Sequence, residues 1–182
     1  MNQDVIKKAE EIINSKAGYV GGGMEGYAAL ALIDESGCPT ASTLTIAKAD
    51  GIKWLTFCTS PDDNKAKRIR KNNHACVCIN SSRYSITLVG TIEIVTDSAI
   101  KNDTWLPIMA DGPHWTGPDD PAFCVLLFKT ERYNIFISEP YGEAQGTLKP
   151  ETTDILKEKK SPPSFEPILI YNNGQCARVC RQ

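Results

Sequence analysis

The chain has 182 residues, a formal net charge of −2 at pH 7 and an isoelectric point near 5.7. This length predicts one domain with a sizeable core, or one domain with an appendage. The slightly acidic balance argues against a protein that coats nucleic acid, because such proteins carry a basic excess. No apolar run approaches the roughly 18 residues that a membrane helix needs.

The first residues, MNQDVIKKAEEIINSK, have neither an apolar core nor a small-residue cleavage site, so we do not expect a secretory signal. The seven cysteines are an odd number. In a chain without an export signal, we interpret them as reduced thiols. The sequence therefore predicts a cytoplasmic protein.

The first half of the chain begins with a helix and continues as strands. Apolar residues on one face predict a helix over residues 3–16. GYVGGGMEG follows; it lacks the Gly-Lys-Ser/Thr ending of a phosphate loop, so we expect a flexible connection. YAALALID, CPTASTLTIAKA and IKWLTFCT are predicted strands, and the short turns ESG and ADG between them indicate an antiparallel meander.

The second half continues this pattern. Residues 61–71 predict a helix, ACVCIN and YSITLVGTIEIVT predict strands, and Gly90 marks a bulge or bend. DSAIKNDTWLPIM predicts a helix, ADGPHWTGPDDPA a long loop, and FCVLLFKTERYNIFI a strand pair or one bent strand. About six strands with few helices predict a mostly β fold, a small antiparallel barrel.

The character of the sequence changes after Gly146. TLKPETTDILKEKKSPPS is charged and contains proline, which is typical of a linker. FEPILIYNNGQCARVCRQ could form a terminal hairpin around Asn173-Gly174. We therefore assign residues 1–146 to the barrel domain with its N-terminal helix, and residues 147–182 to a linker and C-terminal appendage.

The segment FCTSPDDNKAKRIRKNN, residues 57–73, leads from a strand into a strongly basic helix. Ser60 is the predicted N-cap, Pro61 suits the first helical position, and Asp63 fits the acceptor of a capping box. A helix N-terminus favours anions because it presents free N–H groups and a positive dipole end.

Donors from Thr59, Ser60, Asn64 and Lys65 surround this helix start, which makes it a candidate position for one phosphate. The interpretation requires the two neighbouring aspartates to point into solvent. Lys65 is the candidate ligand, and the other basic residues of the helix are expected on the surface: Lys67, Arg68, Arg70 and Lys71. A basic helix face that is simply solvated remains the alternative.

Taken in order, four segments resemble the pyridoxamine 5′-phosphate oxidase-like flavoproteins, which are FMN-binding split barrels, and most nearly their general-stress-protein branch. The segments are PTASTLTIAK, WLTFCTSPDDNKAKRIRKNNHACV, YSITLVGTIEIVTD and WTGPDDPAFCVLLFKTERYNIFI. The resemblance spans roughly residues 28–137 and implies a six-stranded antiparallel split β-barrel. It also implies FMN as cofactor and a homodimer with the flavin at its two-fold interface.

The resemblance also implies a set of cofactor-binding residues. Those expected near the flavin ring are Thr43, Leu44, Thr45, Ser85 and Thr87; those near the ribityl chain and phosphate are Phe57, Cys58, Thr59, Ser60, Asn64 and Lys65; and Trp115 would come from the partner chain. The oxidases often offer an arginine where Thr43 stands, so the phosphate charge would rest on Lys65. Their C-terminal pattern for pyridoxine phosphate is not evident, so we do not expect oxidation of pyridoxamine phosphate.

Other polar groups give weaker signals. Cys76 and Cys78 should share one face of a strand, but their spacing is atypical of a zinc site and we predict no metal. His74 and His114 are too differently placed to indicate a metal site, and no residue is nominated as a catalytic acid or base. The sequence thus predicts a small flavin-dependent oxidoreductase of unknown substrate. The alternatives are a non-enzymatic flavin- or heme-binding module of this fold, and a deazaflavin in place of FMN.

Overall fold

A computed structural model describes the chain over residues 2–18, 26–111, 114–149, 171–172 and 175–176. The predicted N-terminal helix is α1, Asn2–Lys16. Its Val5, Ala9 and Ile13 side chains are each 0% exposed and face the core. The glycine-rich connection, at residues 19–25, lies outside the described residues.

The main body is one antiparallel sheet. Its strands are β1 (Tyr27–Ile33), β2 (Pro39–Thr45), β3 (Lys48–Asp50), β4 (Trp54–Thr59), β5 (His74–Asn80), β6 (Tyr84–Val95), β7 (Cys124–Ile137) and β8 (Gly142–Thr147). Their order is β2-β1-β5-β6-β7-β4-β3, and β8 also pairs with β7. Because β2 and β4 contact each other from distant places in this order, the sheet curls into a barrel. The mostly β, antiparallel prediction is confirmed.

This sheet has eight strands rather than the expected six. One addition arises because CPTASTLTIAKA is not a single strand. The Ile46 N–H donates to the Gly26 carbonyl at 3.1 Å, whereas the Ala47 N–H donates to the Thr56 carbonyl at 2.8 Å. The chain therefore leaves β1 at this point and joins β4 as the new strand β3. The other addition is β8, which pairs with the second half of β7.

Two further helices are α2 (Asn64–Lys71) and α3 (Ser98–Thr104). Both are shorter than predicted. The backbone of Trp105 is extended, with φ −61° and ψ 127°, which ends α3, and a 3₁₀ helix follows at Pro107–Asp111. Among the described helices, none combines the length and the apolar character needed to cross a bilayer.

Tyr171–Asn172 pairs antiparallel with Gln175–Cys176, on either side of the position where the sequence predicts a hairpin turn. Residues 173 and 174 lie outside the described residues, as do residues 150–164 of the predicted linker.

The core lies between α1 and the inner face of the sheet. Alternate residues of each strand point inward, as expected for one buried face. The most buried of them include Leu30 of β1, Val77 of β5, Leu88 of β6 and Ile135 of β7. The residues between them point to the opposite side and leave an outer face free of this core.

Gly90 interrupts the pairing of β6 with β7, where the register shifts between Val89 and Gly90. The predicted bulge is therefore confirmed. A Cβ atom at this position would collide with the backbone carbonyl of Lys129, which cannot move without disturbing the ladder.

We predict that Gly90→Ala lowers the free energy of unfolding by about 3 kcal/mol, because the new methyl group overpacks two backbones. Gly117→Ala is the matched control, since its Cβ would meet no atom within 4 Å. It should change stability by less than about 0.5 kcal/mol. Urea unfolding measures both, and equal stability of the two variants would contradict this account of the bulge.

Candidate functional site

The end of β4 and the start of α2 are joined by one carboxylate. Asp63 Oδ1 accepts the Ala66 N–H at 2.9 Å, while Oδ2 accepts the Thr59 hydroxyl and lies 2.6 Å from Lys65 Nζ. The side chains of Lys65 and Asp63 are only 22% and 24% exposed. We call Thr59, Asp63, Lys65 and the Ala66 N–H the Asp63 cluster. Three donors therefore converge on a single anion where the sequence predicts a phosphate.

The expected cap of α2 was wrong. Asp63, rather than Ser60, is the N-cap, and α2 begins at Asn64 rather than Pro61. The Ser60 carbonyl accepts the Asp63 N–H at 3.2 Å, so Pro61 and Asp62 form a turn ahead of the helix. Aspartate and serine are comparable N-caps, and the turn places the aspartate at the free N–H groups. Asp62 is exposed, but Asp63 does not point into solvent as the phosphate hypothesis required.

The charge of Asp63 is maintained by its neighbours. Burial raises the pKa of this carboxyl, but hydrogen bonds from Lys65, Thr59 and Ala66 outweigh that effect and hold the pKa below 3.8. The carboxylate is therefore ionised at neutral pH.

Arg68 is the second departure from expectation. It was expected on the surface, but its side chain is half-buried, and Nη1 donates to Thr40 Oγ1 of β2 at 3.0 Å. Among the described residues, Arg68 Nε is buried without a hydrogen-bond partner. Because Lys65 and Arg68 are three residues apart, they share one face of α2. Arg68 is therefore a second cation on the face of α2 that carries Lys65, and its Nε is an unused donor among the described residues. Lys67, Arg70 and Lys71 are exposed, as predicted.

The hydroxyl residues predicted near the flavin ring lie on the outer face. Thr43 pairs with Ala29, Ala29 with Cys78, and Cys78 with Thr87, so all four point to the same side. Thr45 lies two residues after Thr43, and Ser85 lies two residues before Thr87. Their side chains therefore point to the same side of the sheet. Three strand spacings separate Thr43 from Thr87, which is about 14 Å along the sheet. The structure therefore brings these residues to one face but not into contact.

Three other residues predicted to contact the flavin have buried or partly buried side chains. Phe57 is 0% exposed within the core, so it can offer a ligand only its backbone, and Leu44 is half-buried against the same core. Cys58 is half-buried, and burial raises the pKa of its thiol to about 12. It is therefore a neutral thiol rather than a nucleophilic thiolate. Ser60 is half-exposed and Asn64 is exposed beside the Asp63 cluster.

Trp115 is held within its own loop. Its indole N–H donates to the Ala122 carbonyl at 2.9 Å, and its ring meets Phe123 edge-on at 5.1 Å. Asp120 forms a turn in this loop, since its carboxylate accepts both the N–H and the hydroxyl of Thr116. Lys101 Nζ donates to the Asp120 carbonyl at 3.1 Å and fixes this loop to α3. The partner-chain role of Trp115 stays a prediction.

Cys76 and Cys78 share the outer face, as expected from their spacing. The sulfur of Cys78 lies 3.6 Å from Thr87 Oγ1. Burial, together with Cys78, raises the pKa of Cys76 to about 11. In the described part of the chain, no group of three or more histidine, cysteine or acidic side chains is arranged to hold a metal ion.

Comparison with known families gives one match that covers most of the barrel. The sequence profile described as "Pyridoxamine 5'-phosphate oxidase" matches residues 24–136. A search of curated proteins found no match.

Solved structures share the fold. A protein related to general stress protein 26 from Clostridium acetobutylicum is 23% identical, with a TM-score of 0.66, over 81% of this chain and 97% of that chain. General stress protein 26 from Bacillus anthracis is 17% identical, with a TM-score of 0.58, over 80% of this chain and 98% of that one. A heme binding protein from Mycobacterium smegmatis is 17% identical, with a TM-score of 0.55, over 76% of this chain and 57% of its own.

We predict that Asp63→Ala lowers the free energy of unfolding by about 1 kcal/mol at pH 7, because α2 loses its N-cap. Since the folded pKa of Asp63 lies below 3.8, its stabilising charge is present above that pH and is lost as the pH falls through the folded value. The difference between the two proteins should therefore shrink in acid. Thermal unfolding from pH 7 to pH 3 measures it, with Asp62→Ala as control. An Asp63→Ala protein as stable as wild type at pH 7 would refute the capping role.

Proposed function

The chain belongs to the pyridoxamine 5′-phosphate oxidase family, and on that premise we propose that it is an FMN-binding flavoprotein that works as a small flavin-dependent oxidoreductase. The observation that carries the proposal is the convergence of three donors on one anion at the junction of β4 and α2. The odd number of cysteines in the chain, seven, fits reduced thiols. We therefore place the protein in the cytoplasm.

The residues at this junction would fit the phosphate of FMN once Asp63 gives up Thr59 and Lys65, which it holds in this structure. A phosphate monoester carries close to two negative charges and three acceptor oxygens. Lys65 supplies a cation, Thr59 a hydroxyl, and the first turn of α2 its free N–H groups. The buried Nε of Arg68, which has no partner among the described residues, is a further donor on the same helix face. These groups would anchor the phosphate. The flavin ring would then lie along the line where β2 contacts β4, which we call the seam between β2 and β4.

A second copy of the chain would complete the site. Thr43 and Thr45 lie beside this seam, whereas Ser85 and Thr87 are about 14 Å away along the outer face. A homodimer joined through the outer faces would bring the second pair, and Trp115, to the partner's flavin. Exposed aromatic rings on this face support an interface, since Tyr27 is 38% and Phe136 is 46% exposed.

Bound FMN supplies hydride or electron transfer through its N5, and the protein supplies binding, orientation and hydrogen bonds to the ring. The visible spectrum of the purified protein, with the mass of the released chromophore, separates FMN from heme or a deazaflavin. Turnover of an acceptor with a reduced nicotinamide donor separates an enzyme from a module that stores or senses flavin.

We predict that Lys65→Ala weakens FMN binding by about tenfold or more, because a charge-assisted hydrogen bond to the phosphate is lost. Lys67→Ala is the matched control, since it removes the same charge from an exposed position of α2. Fluorescence titration with FMN measures both, and circular dichroism checks that each variant is folded. Equal affinity of Lys65→Ala and wild type would exclude Lys65 as the phosphate ligand.

The proposed dimer has its own test. Light scattering should give twice the chain mass of 20.0 kDa. Phe136→Glu should shift the protein toward the monomer and weaken FMN binding together, because a charge is placed in an apolar contact. A monomeric wild-type protein that still binds FMN tightly would contradict the shared site.

A further inference from the structure

We propose that Asp63 determines the ligand specificity of the phosphate position, by competing with the phosphate of FMN for Lys65 and Thr59. The expected result is a chain that discriminates weakly between FMN and riboflavin, which is the same flavin without the phosphate. This inference rests on the proposed function and concerns the same site.

The geometry assigns the competing role to one oxygen. Asp63 Oδ2 holds both the Thr59 hydroxyl and the Lys65 ammonium, and Oδ1 holds the Ala66 N–H. These are the donors that a phosphate at this helix start would use. An incoming phosphate must therefore share or displace hydrogen bonds that are already made, and it gains less from them than it would from open donors.

The negative charge of Asp63 also weakens phosphate binding. The Asp63 side chain is ionised and neutralises Lys65, so the helix start offers a phosphate less net positive charge than the basic sequence indicates. A like charge a few ångströms away raises the free energy of the bound phosphate. Arg68, on the same face of α2, is the cation that could offset part of this repulsion. Riboflavin has no charge at this end and is unaffected.

Asp63→Asn removes the negative charge and keeps the helix cap. Asparagine caps helices about as well as aspartate, so its amide oxygen can still accept the Ala66 N–H. The substitution frees Lys65 from its ion pair without opening a cavity. Asp62→Asn is the matched control, because it makes the same change at the exposed neighbouring residue.

The experiment titrates each protein with FMN and with riboflavin, following the flavin fluorescence. Asp63→Asn should bind FMN about tenfold or more tightly than wild type, whereas riboflavin affinity stays within about twofold. Asp62→Asn should change the ratio of the two affinities by less than about threefold. Adding Lys65→Met to Asp63→Asn should abolish the gain, because Lys65 is the group that Asp63 restrains.

A second readout needs no flavin. Inorganic phosphate should raise the melting temperature of Asp63→Asn progressively as its concentration rises, and it should do so much less for wild type and Asp62→Asn. Sodium chloride at matched ionic strength controls for screening.

The outcomes separate this inference from the proposed function. If wild type binds FMN and Asp63→Asn leaves the ratio of FMN to riboflavin affinity unchanged, the inference is wrong while the flavoprotein proposal stands. If no variant binds either flavin, the proposed function fails and the inference falls with it. An equal phosphate shift in wild type and Asp63→Asn would also overturn the inference.

Discussion

The interaction of Asp63 with Thr59, Lys65 and the first turn of α2 joins the elements that form the candidate site. It connects the last residue of β4 to the helix that follows. Arg68 of α2 then bonds to Thr40 of β2, so the same helix is fixed to both strands that close the barrel. The helix N-terminus, its cations and the seam between β2 and β4 are thereby held together. A ligand with one anionic end and one flat end would match that arrangement.

The remaining constraint is the division of the sheet into two faces. The inner face carries the buried aliphatic residues and packs on α1. The outer face carries alanine, threonine and cysteine along one register row, with exposed tyrosine and phenylalanine nearby. Small side chains allow another surface to approach closely, and hydroxyl groups can bond to a polar ring. Among the described residues, the core does not cover the part of this face formed by β2, β1, β5 and β6, which is where the proposed function places the flavin and the second subunit.

Much of this architecture could be predicted from the sequence because the relevant signals are local. Strand-like apolar patterns in the sequence identified β1, β5 and β6, and an isolated glycine identified the bulge at Gly90. The strand β8 was missed because GEAQGT has little apolar alternation and is defined by its pairing with β7. The break at Ile46 was missed because it depends on which strand accepts each hydrogen bond.

The candidate site was harder to predict in detail than the fold. The donors Thr59 and Lys65 follow from their position at a helix start, and the structure brings them together. The role of Asp63 was missed because a shift of three residues in the helix start decides whether its carboxylate faces solvent or the donors. Arg68 was misassigned because its partner, Thr40, lies on a distant strand. Such choices depend on tertiary contacts rather than on local pattern.

The central claim is that the start of α2 binds the phosphate of FMN, and diffraction from crystals grown with FMN tests it most directly. The account predicts phosphate density within hydrogen-bonding distance of Lys65 Nζ and the Thr59 hydroxyl, with the flavin ring extending along the seam between β2 and β4. Phosphate density elsewhere on the protein, with Lys65 still paired to Asp63, would contradict it.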